Sequence, residues 1–194
     1  MNIIVAMKQI PDLQQIRIRD RKPVLDDVNY TFGNIDKNAL EAAVQIKETV
    51  DAKVTVLCVG SEELEDTVKE ALAAGADEAK LVINEKALDS AMNAQLIAAA
   101  VKEAQPDLLL FGEGSGDNYS SQVGSRVAQI LGLPQVNYAT KVEVQDGGAI
   151  VTRSLEDCDE IIKVDLPAVI SVAADLNHPR IPSVMQILKA GKKP

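Results

Sequence analysis

Aromatic residues are scarce in this 194-residue sequence: three tyrosines, two phenylalanines and no tryptophan make up 3% of it. That excludes a stacking platform for nucleic-acid bases and an aromatic-anchored carbohydrate site. There is a single histidine, His178, so a multi-histidine metal centre is ruled out and a Ser-His-acid triad has little support. Lying between Asn177 and Pro179, it reads as an exposed turn residue. The two cysteines, Cys58 and Cys158, fit a reducing compartment better than a disulfide scaffold. Cys158 sits in the acidic LEDCDE stretch, which disfavours a thiolate and reads as a solvated loop rather than a cation site. No apolar run approaches the roughly 20 residues that span a bilayer. The opening MNIIVAMKQIPD reaches proline and aspartate where a signal peptide would stay hydrophobic. The expectation is therefore a cytoplasmic protein with no membrane-spanning segment. Basic residues are also short, 20 against 29 acidic ones, and a net charge of -9 repels nucleic acid and anionic membranes.

What the sequence does hold is apolar patterning. Hydrophobic residues make up 46% of the chain, enough for one substantial core. NIIVAMK, KVTVLCV, AKLVI and DLLLFG are short strand-forming runs, the second closed by Gly60. Between them lie helical stretches. Asp36 is a plausible cap for DKNALEAAVQIKETV, with Ala39, Leu40, Ala43, Val44 and Ile46 as its apolar stripe. Ser61 is a plausible cap for EELEDTVKEALAAG, which Gly75 can end, and SAMNAQLIAAAVKEA stops before Pro106. Strands alternating with helices of about a dozen residues predict an α/β fold with an open, mostly parallel sheet flanked by helices. IRIRDRKPVLDDV suggests a small peripheral hairpin. Beyond Pro134, two alternating runs around DGG predict a C-terminal hairpin, DEIIKVD and AVISV two further strands, and SVMQILKA a short helix.

The chemistry-bearing stretch is GEGSGDNYSSQVG, residues 112–124, delivered by the strand DLLLFG to the carboxyl edge of the sheet, where open α/β folds bind ligands. Gly112 ends the strand at that edge, Gly114 and Gly116 could expose successive backbone N–H groups, and a helix starting near Ser120 or Ser121 would add its unpaired amides. Ser115, Ser120, Ser121 and Gln122 are neutral donors, while Gly124 lets the first helical turn approach closely. Against a phosphate cradle stand the carboxylates Glu113 and Asp117. No lysine precedes the serines as in a P-loop, and the dinucleotide fingerprint is missing after the first strand. Phosphate cradle and tight packing turn both stay open on the pattern alone. Lys8 and Asp36 are placed at the same edge, each with a structural explanation as well, surface lysine and helix cap. At the other end, NHPRIPSVMQILKAGKKP carries Ile181, Val184, Met185, Ile187 and Leu188 beside Lys189, Lys192 and Lys193, and either docks on its own domain or presents anchors to a partner.

Over nearly its whole length the chain resembles the beta subunit family of electron transfer flavoproteins. The residues that carry the resemblance are the first strand with Lys8, GNIDKNALEAAVQIKE with Asp36, the phrase ALAAGAD at residues 71–77, and Gly112, Asp117, Gln122, Val123 and Gly124 followed by LGLPQVNYATKVE. The tail LNHPRIPSVMQILKAGKKP completes it, in a short form without the family's usual C-terminal extension. Glu113 stands where the family often has lysine, and Gly114, Ser115 and Gly116 where it has bulkier residues. The resemblance implies an adenine nucleotide alpha hydrolase-like, Rossmann-like domain over residues 1–176 and a partner-recognition segment over residues 177–194. It implies a non-catalytic electron carrier subunit holding AMP or FAD, with phosphate at Gly112 to Gly124 and the nucleotide bordered by Ala6, Lys8, Asp36, Val59 and Gly60. It also implies docking to an alpha-like subunit and to an acyl-CoA or other dehydrogenase through Ile181 to Leu188, Val184 falling at the family's leucine anchor. The competing reading is a stand-alone adenine nucleotide sensor or structural homodimer.

Overall fold

A computed structural model describes all 194 residues. Its centre is an eight-stranded sheet. β1 (Asn2–Met7) leads to two small peripheral ribbons, in which β2 (Gln9–Pro11) pairs with β5 (Tyr30–Phe32) and β3 (Arg17–Arg19) with β4 (Lys22–Val24). The second ribbon is the hairpin anticipated from IRIRDRKP, turning through Asp20 and Arg21, both with positive φ. Then follow α1 (Asn34–Thr49), β6 (Lys53–Gly60), α2 (Leu64–Ala74), β7 (Glu78–Ile83), α3 (Ser90–Ala104), β8 (Leu108–Gly112) and α4 (Val123–Leu131). β9 (Gln135–Gln145), β10 (Gly148–Ser154), β11 (Asp159–Asp165), β12 (Ala168–Val172), a short 3-10 turn at Ala174–Leu176 and α5 (Val184–Ala190) complete the chain.

The strand order is β11-β10-β9-β12-β8-β1-β6-β7. Six strands from β9 to β7 are parallel, and the hairpin β9–β10 with β11 adds an antiparallel edge. Parallel strands covered on both faces need continuous apolar runs, and β8, β12 and most of β1 are buried residue after residue. One face carries the larger apolar core, under α1 and α2, with Val5, Val56, Leu110 and Ile170 from the sheet meeting Leu40, Val44 and Leu72. The other carries a smaller core in which Ile4, Leu57, Leu109 and Phe111 meet Ile97, Val101 and Val127 of α3 and α4.

Three helix starts differ from the sequence expectation. α1 begins at Asn34 after Gly33, so Asp36 lies inside the first turn, buried, and is not the cap. α2 begins at Leu64 after Glu63 with no side-chain cap, so Ser61 does not hold its end. α4 begins at Val123 rather than near Ser120, because Ser121 takes a positive φ of 52° that breaks a helix. Gly75 does end α2, at φ 132°, where its Cα lies so close to Val44 that a side chain would collide. Cys58 is buried, Cys158 exposed, and both are free thiols. No helix is long and apolar enough to cross a membrane.

Candidate functional site

After β1 the chain builds outward through β6 and β7, then crosses to β8 on the other side of β1. A crevice opens where strand order reverses in this way. At this reversal the structure has a cleft of about 310 Å³, within the range of small-molecule sites, ~300–1,000 Å³. Its floor is the carboxyl ends of β1 and β8 with Val59 of β6, and its walls are the 112–124 loop and the first turns of α3 and α4.

Asp36 holds the floor together. Its Oδ2 accepts the Lys8 backbone N–H at 2.7 Å and its Oδ1 lies against Gly112, so one side chain meets the ends of both β1 and β8 at the reversal. Burial pushes its pKa up to about 7, against the Lys8 N–H bond and the Lys8 charge, which act the other way. Burial, and secondarily the Asp36 charge, raises the neighbouring Cys58 thiol, which is therefore no nucleophile. A Cβ on Gly112 would fall 2.6 Å from Asp36 Oδ1 and 3.1 Å from the α1 backbone, so only glycine allows this approach.

The other loop glycines also serve close packing. None of Gly112, Gly114, Gly116 and Gly124 takes a positive φ; the left-handed residues of the loop are Tyr119 and Ser121. A Cβ on Gly114 would meet the Tyr119 ring at 3.1 Å, and one on Gly124 the Phe111 ring at 3.3 Å. Gly116 turns away from the cleft, toward Ile10 and Leu13. The amides come instead from α4. Gln122 precedes it without a side-chain cap, so the N–H groups of its first turn have no intrahelical acceptor, and Val123, Gly124 and Ser125 line the cleft.

The charged groups are largely paired. Lys8 Nζ lies 2.6 Å from Asp117 Oδ2, tying β1 to the loop. Asp117 stays below the usual carboxylate range because hydrogen bonds from Lys8 and Ser115 outweigh the opposing effect of its partial burial. Glu113 Oε1 accepts the Tyr119 hydroxyl at 2.7 Å. Gln122 Oε1 accepts from Arg126, at 2.8 and 3.2 Å, and from Ser90 at 3.3 Å, joining α4 to α3.

Of the residues singled out in the sequence, Ala6, Lys8, Asp36, Val59, Gly112, Gly114, Ser115, Ser120, Ser121, Gln122, Val123 and Gly124 line this one cleft, and Gly60, Gly116 and Asp117 do not. The sequence reading missed the α3 side, Leu88, Asp89, Ser90, Asn93 and Ile97. The carboxyl-edge rule applied to β7 as well as β8 would have placed Leu88 to Ser90 there. It also missed a polar rail in which Ser171 Oγ donates to Asn137 Oδ1 at 3.1 Å and Asn137 Nδ2 to Ser125 Oγ at 3.3 Å. Ser171 could have been found as the one polar residue in the apolar run of β12, whereas Asn137 stands among other polar residues of β9 and gave no signal. No group of three or more His, Cys, Asp or Glu side chains is placed to hold a metal ion.

The electron transfer flavoprotein domain model matches residues 24–194. The chain belongs to the electron transfer flavoprotein family. Two relatives named electron transfer flavoprotein subunit beta align with all of it: one from Thermoanaerobacterium thermosaccharolyticum, 39% identical over 197 residues, and one from Syntrophomonas wolfei, 39% identical over 196. The alignments cover 76% and 78% of those two chains. Within the electron transfer flavoprotein family this is a beta-like subunit.

Proposed function

We propose that the cleft binds an adenine nucleotide, AMP or FAD, and that the chain pairs with an electron transfer flavoprotein alpha-like subunit to form a cytoplasmic electron carrier. The observation that carries this reading is the cleft at the strand reversal, with the uncapped N-terminus of α4 on its wall, in a chain of this family. The residues present fit the phosphate of such a ligand. Amides of α4 and the hydroxyls of Ser120, Ser121 and Ser125 are donors, and an anion there is favoured by the helix dipole. Ala6, Lys8, Asp36 and Val59 border the rest of the nucleotide. FAD, when bound, supplies the redox chemistry through its flavin ring, whereas AMP is structural. This chain binds, orients and shields. The free thiols support the cytoplasmic assignment.

Residues 1–176 form the nucleotide-binding unit in this reading and residues 177–194 the partner-recognition segment. Support comes from exposure: Ile181 is 94% exposed, Val184 73%, Met185 63% and Leu188 69%, although the segment itself is anchored. Such an apolar run, standing clear of an otherwise acidic surface, suits a dehydrogenase-type electron donor. The test is to purify the chain alone and with an alpha-like subunit, release any nucleotide, and identify it by absorbance and mass spectrometry. AMP or FAD in near-equal amount to protein is expected. A folded chain that retains and rebinds neither, alone or in the complex, sinks the proposal.

A further inference from the structure

The segment between β2 and β5 breaks several local rules at one place. β3 and β4 pair with each other and with no other strand, and every residue from Arg17 to Pro23 is exposed, so both faces of this ribbon stand in solvent. A lone two-stranded ribbon is marginal in water. Its tip weakens it further. Asp20 and Arg21 turn through φ 50° and 62°, a geometry that favours glycine at the second position, and Arg21 occupies it. Arg19 lies directly opposite Lys22, with Arg17 on the same face, so like charges oppose each other across the ribbon. Ile18, opposite Pro23 on the other face, is 70% exposed. Arg17, Arg19, Arg21 and Lys22 enter no ion pair, whereas Lys8, Lys37, Lys47 and Lys53 all do, in a chain with an excess of acids.

Proteins break such rules mainly at functional sites. The arm that carries the ribbon has a fixed root. The Asp12 N–H donates to the Asn29 carbonyl at 2.8 Å, and Gln15 bridges the same two residues, its Nε2 donating to Asp12 at 2.8 Å and its Oε1 accepting the Asn29 N–H at 3.0 Å. This root packs behind the 112–124 loop, where Ile10 and Leu13 lie against Gly116, and none of these three lines the cleft. Leu13, Leu25 and Tyr30 add exposed apolar surface to the same segment. Unpaired cations beside exposed apolar side chains describe an element that docks on protein. An anionic membrane is disfavoured, since the body carries a net charge of -9 and Asp20 sits in the tip. We propose that residues 12–29 form a clasp for a protein partner that stays bound, with a facing surface that is acidic and recessed to take Ile18. A lasting partner fits because permanent interfaces are the more hydrophobic ones. The inference rests on the pairing reading above, in which that partner is the alpha-like subunit and the C-terminal segment is left for the electron donor.

Two variants of the full chain test the clasp against the purified alpha-like subunit. Arg17→Glu combined with Arg19→Glu should slow association at least about tenfold at low salt, a difference that narrows as salt is raised. The same change sets opposite charge across from Lys22, so the free chain should unfold in urea no earlier than the unaltered one. Weaker association then cannot come from a damaged fold. Ile18→Asp should act on dissociation instead, speeding it at least about fivefold. Hydrogen exchange at residues 17–24 should be fast in the free chain and slow in the complex. Rates that both variants leave unchanged, or an arm that still exchanges fast in the complex, overturn the proposal. So does another occupant: phosphatidylglycerol vesicles that bind the unaltered chain but not the doubly reversed one, or a homodimer in sedimentation velocity that the same change dissolves, the complex being unaffected in either case. Failure of the unaltered chain to associate with the alpha-like subunit at all is a different result: it removes the pairing reading, and the clasp falls with it.

Discussion

Asp36 is a nearly buried carboxylate at the base of the cleft, and its position is set by what it joins rather than by the helix it belongs to. Lys8 follows the last residue of β1, and its N–H bonds the Asp36 carboxylate rather than a neighbouring strand. Asp36 supplies the acceptor. Burial raises its pKa from 3.8 to about 7, so the folded chain holds this proton more tightly than the unfolded one. Its contribution is then full below about pH 4, is lost as pH rises toward 7, and changes no further above that. One such group gives a slope of at most about 1.4 kcal/mol per pH unit. The carboxylates held low by partners, Glu41, Asp77 and Asp117, act in the opposite sense and only in more acidic solution. Urea unfolding at pH 5, 6, 7 and 8 should therefore show stability falling between 5 and 7 and levelling above. Asp36→Asn should remove the slope: it should cost most at pH 5, where an amide nitrogen replaces an oxygen facing backbone N–H groups, and least at pH 8, where it also removes the buried charge. The same slope in the variant would assign the titration to another group.

At the scale of elements, periodicity was the legible part. Continuous apolar runs became the buried strands and the 3.6-residue stripe of α1 became its buried face. Helix starts were less legible, because Ser, Asp and Glu near a helix start serve equally as caps, first-turn residues or tertiary ligands; Asp36 is the last of these. The cleft was half legible. Its β8–α4 wall is one continuous stretch of sequence, whereas the α3 wall and the Ser171–Asn137–Ser125 rail come from segments joined only by folding. The C-terminal segment is anchored on its own domain by some residues and leaves others exposed. Arg180 binds Glu41 on α1 through Nε at 2.7 Å and Nη2 at 3.0 Å, and Glu48 at 2.9 Å. Lys193 donates to the Leu72 and Ala76 carbonyls at the end of α2. Docking on its own domain and exposing Val184 are thus the work of different residues. Arg180→Ala leaves the nearly buried Glu41 without its cation and should cost about 1–3 kcal/mol, less than for a fully buried pair because the guanidinium meets water. Urea unfolding and limited proteolysis of residues 177–194 would register it, and Glu41→Gln combined with it should recover part of the loss. Val184→Asp should leave stability within about 0.5 kcal/mol yet weaken association with a dehydrogenase-type partner at least about fivefold. Unchanged association would remove Val184 from the docking surface.

For the molecule as a whole, the important feature is that two unequal cores lie on opposite faces of one sheet and the cleft touches the elements of both. Asp36 belongs to α1, over the larger core, and Ile97, Val123 and Ser125 belong to α3 and α4, over the smaller one. A ligand in the cleft therefore bonds across the sheet's reversal rather than to a single loop. Local opening of either layer would break those bonds, so binding should stabilise the entire domain. At a ligand concentration one hundred times Kd the gain is about 2.7 kcal/mol, which for a chain of this size raises Tm by roughly 5–10 °C. Thermal unfolding followed by circular dichroism, with and without FAD, should show that shift with the transition still single. Hydrogen exchange should slow in α1 as well as in α3 and α4. Slower exchange confined to the 112–124 loop, with Tm unmoved at saturating ligand, would show that the loop binds alone and that the strand reversal is not the site.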